Sequence, residues 1–194
     1  MDEELTVEQL IAKIKDSDPE VRAAAWLSAG KCGAAAVPAL ARVMTHEEME
    51  VARAAKRGLW VVVRYVGRPG ADDERKPVVD RLCKLLGEDQ PVAVRREVLW
   101  MLSEIGGDEA VEAIRNIPGI LENKELREDA RCAVERIPGE AATRALMDGL
   151  EASMDDFNLA LAQSLRVRGV EVDKKRYPPQ KLVPTKQTTV EPVS

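Results

Sequence analysis

Along most of this chain, apolar residues recur at the three- and four-residue intervals of a buried helix face, with polar residues between them. In "DPEVRAAAWLSAGKCG", residues 18–33, a helix anchored on Val21 gathers Val21, Ala24, Ala25, Ser28, Ala29 and Cys32 on one side. The same kind of segment recurs in "EVARAAKRGLWVVVRYVG" (anchor Val51), "VAVRREVLWMLSEIGG" (Val94), "KELREDARCAVERIPG" (Leu126) and, more weakly, "DDFNLALAQSLRVRG" (Phe157). Successive anchors lie 30, 43, 32 and 31 residues apart. The longest interval holds "GRPGADDERKP", residues 67–77, which reads as a loop inserted between helices.

Second periodic segments fill the intervals: "TVEQLIAKIK" from Thr6, "AAAVPALARVM" from Ala34, "KPVVDRLCKLLG" from Lys76, "DEAVEAIRNI" from Asp108 and "EAATRALMDGLEAS" from Glu140. The punctuation agrees with this division. Asp18 is a good N-cap with Pro19 in the first helical position, and Gln90–Pro91 repeats the arrangement less well. Gly33, Gly87, Gly106 and Gly139 stand where helices stop. The β-branched run "LWVVVRYV", residues 59–66, would suggest a strand by itself, but its place in the repeat predicts helix.

Five helix–turn–helix units of about 30 residues follow from this pattern. The stretch "DPEVRAAAWLSAG" resembles the second helix of HEAT-like repeats of the short, phycobilisome-lyase type. Asp18, Pro19, Val21, Arg22, Ala25 and Gly33 match that pattern in the first unit, Val94, Arg95 and Gly106 in the third, and Leu126, Arg127 and Ala130 in the fourth. Ala52 and Asn158 depart from it, where arginine is expected. The resemblance implies an all-α, right-handed α-solenoid of about five repeats over residues 1–169, with the second helices lining a concave face. For function it implies little, because such repeats serve scaffolds, adaptors and a few enzymes.

On a helix turning about 100° per residue, offsets 2, 5, 6 and 9 from the anchor face away from the core. Trp26, Trp60 and Trp100 fall at offsets 5, 9 and 6, so all three are expected to point outward. Arg53, Lys56, Arg57, Arg96, Arg131 and Arg166 fall on the same side, opposed by Glu128 and Glu135. Trp26, Arg53, Lys56, Arg57, Trp60, Arg96, Trp100 and Arg131 are therefore the candidate partner-binding residues, since Trp and Arg dominate interface hot spots. The competing reading is that the tryptophans fill gaps between neighbouring second helices. Arg22, Arg95 and Arg127 form a separate ladder, each expected to pair structurally with a carboxylate of a neighbouring unit such as Asp18, Asp89 or Glu125.

Composition narrows the chemistry. The chain has 194 residues, 45% hydrophobic and 32% charged, and only six aromatics, three of them Trp. Its net charge of −5 argues against non-specific nucleic-acid binding. Cys32, Cys83 and Cys132 show no CxxC or Cys/His spacing, so neither a metal site nor a disulfide framework is expected. His46, the single histidine, belongs in a turn or helix start, and Asp155–Asp156 at a helix N-terminus. No nucleophile elbow, phosphate loop or dinucleotide fingerprint occurs, so no catalytic residue, cofactor or metal is expected. The opening "MDEELTVEQL" lacks the order of a signal peptide, and no apolar run could span a membrane, so a reducing cytoplasm is the expected setting. Residues 170–194, with four prolines and no helical period, are expected to be extended or disordered, with Tyr177, Leu182 and Val183 as residues that could dock on the solenoid.

The leading expectation is a non-enzymatic scaffold or adaptor that binds a peptide or protein segment on the concave face. One alternative, implied by the resemblance alone, is an accessory or bilin-lyase-like subunit of an enzyme system. Another is a nucleic-acid binder using the Trp/Arg stripe, which has the stacking and phosphate-binding groups but the wrong overall charge.

Overall fold

The structure, a computed structural model, describes residues 5–179. All regular elements among them are helical: α1 (Val7–Ile14), α2 (Pro19–Ser28), α3 (Gly33–Val43), α4 (Met49–Val66), α5 (Asp72–Lys84), α6 (Val92–Ile105), α7 (Asp108–Arg115), α8 (Arg127–Arg136), α9 (Glu140–Ala152) and α10 (Phe157–Val167). A 3-10 turn, Ala29–Cys32, joins α2 to α3. The ends have local causes. Thr6 and Gln9 form a reciprocal capping box on α1, and the Asp18 side chain accepts the Glu20 N–H at 2.8 Å to start α2. Gly139, at φ +100°, turns the chain into α9 through a conformation that L side chains rarely adopt.

Each odd-numbered helix packs on the even-numbered helix that follows it. The even helices also contact one another in order, α2 on α4, α4 on α6, α6 on α8 and α8 on α10, and the odd helices do the same from α1 to α9. The core runs continuously between the two rows. Ala25, Leu59, Val98, Leu102, Val134, Ile137 and Leu165, all from the even-numbered helices or their C-terminal ends, are buried in it. Close approach is secured by small residues: a Cβ on Gly30 would lie 2.8 Å from the Tyr65 Cβ, and one on Gly58 would meet Leu40 at 3.3 Å. Arg168 ties α10 to the end of α8, donating to the backbone oxygens of Glu135, Ile137 and Gly139 at 2.6–2.8 Å and satisfying carbonyls the helix leaves open.

Three expectations need correction. The segment 67–77 is a loop only as far as Ala71; α5 starts at Asp72, where Asp72, Asp73 and Glu74 face the positive end of the helix dipole. Ala24 and Ser28 are exposed although they share the apolar stripe of Val21, because α2 heads its row and no earlier even helix covers that flank among the described residues. Of the arginine ladder, Arg127 alone pairs with a carboxylate of a neighbouring unit among the described residues. Arg22 donates to the carbonyls of Asp16 and Ser17 at 2.7 and 2.8 Å, and Arg127 reaches Asp155 at 2.7 Å. Arg95 is buried, with its Nε lacking any partner.

Beyond α10, residues 170–179 form no helix, yet Tyr177 is buried and its carbonyl accepts from Nη2 of Arg166. Leu182 and Val183 lie outside the described residues.

Candidate interaction surface

The eight candidate residues lie on α2, α4, α6 and α8, the successive members of the even row. On α4, Arg53, Lys56, Arg57, Trp60 and Arg64 follow i, i+3, i+4, i+7, i+11 and so form one stripe along the helix. Lys56 and Trp60 converge on one carboxylate of the next even helix. The Trp60 indole N–H donates to Glu97 Oε2 at 3.2 Å, and Lys56 pairs with Glu97 Oε1. One helix further on the device repeats. Trp100 donates to Asp129 Oδ1 at 2.9 Å, and Arg96 Nε to Asp129 Oδ2 at 2.8 Å. Arg131 on α8 reaches the hydroxyl of Ser164 on α10 at 2.6 Å and holds Glu128 and Glu135 on its own helix.

This geometry corrects the picture of three outward tryptophans. Trp26 and Trp60 are half-buried and pack against the core; only Trp100 is exposed, at 37%. It also corrects the picture of a mainly basic ridge. Glu97 and Asp129, with Glu50 beside Arg53 at 2.7 Å, neutralise Lys56, Arg96 and Arg53. These acids stand at offset 3 of α6 and α8, a position that a count from one anchor leaves at the flank. The signal that could have found them is repetition: in both cases a basic residue and a Trp four apart precede a helix with an acid at offset 3.

On α4, two cations have no carboxylate partner among the described residues. Arg57 lies over the Trp26 ring, its Cζ 5.7 Å from the centroid, and Arg64 over the Trp60 ring at 5.5 Å. Both are exposed. On α8 the charges are committed. Burial works against the Arg131 cation, but the hydrogen bond with Glu128 and the nearby Cys132 and Glu135 outweigh it and raise its pKa. Burial in turn pushes the Cys132 thiol up, against the opposing influence of Arg131.

A crevice of about 210 Å³ opens between α7, α8, α9 and α10, walled by Leu121, Val134, Leu146, Gly149, Phe157 and Leu161. Arg127 and Arg131 also line it, and both are already paired. His46 sits in the turn before α4, where its Nδ1 accepts the Glu48 N–H at 3.1 Å. Among the described residues no cluster of His, Cys, Asp and Glu could hold a metal ion, and no helix is long and apolar enough to cross a membrane.

No protein-family model matches the chain, and no curated protein matches it. Solved structures that resemble it include two engineered proteins. One is 25% identical, covering 83% of this chain and 78% of its own, with a TM-score of 0.43. The other is 20% identical over 82% of this chain and 78% of its own, with a TM-score of 0.42.

Proposed function

We propose that this chain is a right-handed solenoid of HEAT-like repeats and works as a non-enzymatic interaction module, holding a segment of another protein along the face of its even-numbered helices. Support for the architecture comes from the two rows of contacts, in which each helix touches the next of its own row and its hairpin partner. The observation that carries the function is the α4 stripe, where Arg57 and Arg64 lie on tryptophan rings with their guanidinium donors uncommitted among the described residues, together with the exposed Trp100 on the next helix of the row, α6. Exposed arginines and aromatics arranged in this way are the groups that dominate binding energy at protein interfaces.

Affinity capture with the full chain tests the reading. Wild type and a Trp100→Ala/Arg64→Ala variant are compared by mass spectrometry, with an exposed-site control on α9, Glu151→Ala, in parallel. Loss of a specific protein from the face variant alone is expected. Equal capture by all three would reject the even-helix face.

A further inference from the structure

We infer that the α4 stripe recognises an acidic, extended peptide segment, with carboxylates three residues apart seated on Arg57 and Arg64. This deepens the proposed function and rests on the even-helix face being the binding face. Charge singles out this helix. α4 carries Arg53, Lys56, Arg57 and Arg64 against Glu50 alone, a net of +3. α2 is neutral, with Glu20 against Arg22, and α6 is neutral, with Arg95 and Arg96 against Glu97 and Glu104. α8 balances three arginines with Glu128, Asp129 and Glu135. α10 carries Arg166 alone, a net of +1, so within this row a chain of net charge −5 concentrates its positive charge on α4.

Geometry refines the ligand. Arg57 and Arg64 are seven residues apart, so they share a helix face and lie roughly 10 Å from each other along the axis. In the polyproline II conformation, with three residues per turn and a rise of about 3.1 Å, residues i and i+3 of an extended peptide share one face and span about 9 Å. Each guanidinium is braced by an indole face, Trp26 for Arg57 and Trp60 for Arg64. Bracing limits the conformations lost on binding and leaves the planar fork free to take a carboxylate with two hydrogen bonds. Lys56 and Arg53 are less available, because Glu97 and Glu50 already hold them. A nucleic acid would offer anions at a different spacing and would meet neutral α6 and α8 on one side of the stripe.

Fluorescence anisotropy on the full chain decides the matter, using a labelled twelve-residue Ser/Gly peptide with Glu at every third position. The comparison ligands are the same peptide with Gln for Glu and a labelled single-stranded oligonucleotide. The Glu peptide is expected to bind about tenfold or more tightly than the Gln peptide. Arg57→Gln/Arg64→Gln should lose about that factor without changing the melting temperature, and Arg57→Lys/Arg64→Lys should recover only part of it. Equal binding of the Glu and Gln peptides, or tighter binding of the oligonucleotide, would overturn the inference. If capture depends on Trp100 and Arg64 while the Glu peptide fails to bind, the acidic specificity falls and the binding face stands.

Discussion

Trp60 on α4 donates its indole N–H to Glu97 of α6 at 3.2 Å, while Lys56, one turn earlier, pairs with the other oxygen of the same carboxylate. One acid thereby ties two neighbouring helices through a neutral and a charged donor. The half-buried ring also packs on the core, so Trp60 joins helices as well as facing solvent.

Truncating Trp60 should therefore cost more stability than truncating Trp100. Trp60→Ala is expected to cost about 3–5 kcal/mol. Trp60→Phe keeps the ring contact and loses the hydrogen bond, for about 1–2 kcal/mol. Trp100→Ala, at an exposed ring, should cost less than Trp60→Ala. Urea denaturation of the three variants measures the order, and equal costs for the two alanine variants would contradict it.

Leu102 is fully buried in the last turn of α6. Leu102→Ala should cost about 2–5 kcal/mol through lost burial and the cavity left behind. A calorimetric melt matching wild type would mean that α6 packs in another register.

Two helix-associated glycines should respond in opposite directions. A Cβ on Gly149, inside α9, would make ordinary contact with Leu161 and Leu121 at 3.5–3.7 Å in the wall of the crevice. Gly149→Ala should stabilise the protein by about 0.5–1 kcal/mol, since alanine favours a helix interior. Gly30→Ala forces a methyl to within 2.8 Å of the Tyr65 Cβ and should destabilise by about 1–3 kcal/mol. Chemical denaturation of both variants checks the signs.

Burial, with Glu109 and Asp80 adding repulsion of the thiolate, pushes the Cys83 thiol up to about 11. In the native protein Cys83 should stay nearly inert to iodoacetamide at pH 8 and gain reactivity only as pH approaches that value. Because the folded pKa lies above the ordinary value of 9.0, its contribution to stability is full below pH 9 and lost as pH rises through about 11. Mass spectrometry of alkylated peptides, native against urea-unfolded, follows the difference; native labelling at the unfolded rate would refute it.

Asp155 titrates below its ordinary value of 3.8, chiefly because Arg127 donates to it, with the Phe157 N–H as the next cause. A depressed carboxyl contributes stability above its unfolded pKa and loses it as pH falls through the folded one. Asp155→Asn should therefore lower the melting temperature at pH 7 and converge on wild type under strongly acidic conditions. A constant difference across that range would count against the Arg127–Asp155 pair.

The sequence alone determined the helices apart from the first turn of α5, which its Gly, Pro and acidic residues disguise as loop. Their apolar period, the Asp18 cap and the glycine punctuation are local properties, set by which residues share a face within a few turns and how each helix end satisfies its backbone. Even "LWVVVRYV" was legible as helix from its place in the repeat, since Leu59, Val62, Val63 and Val66 bury one stripe. For the same reason the central residues Leu59, Val98 and Leu102 could be named as core from their offsets.

Only the tertiary structure decided what the surface does. Whether Trp60 faces solvent or a neighbour depends on the crossing of α4 and α6, and Glu97 lies 37 residues away in sequence. The net charge of a stripe likewise depends on which acids the adjacent helix delivers, so Lys56 and Arg96 are neutralised while Arg57 and Arg64 are not. Ala24 and Ser28 stay exposed for a related reason: an apolar face is buried only where a neighbouring helix exists to cover it. Helical periodicity measures angles within one helix, and electrostatic pairing is settled between helices by distances it does not contain.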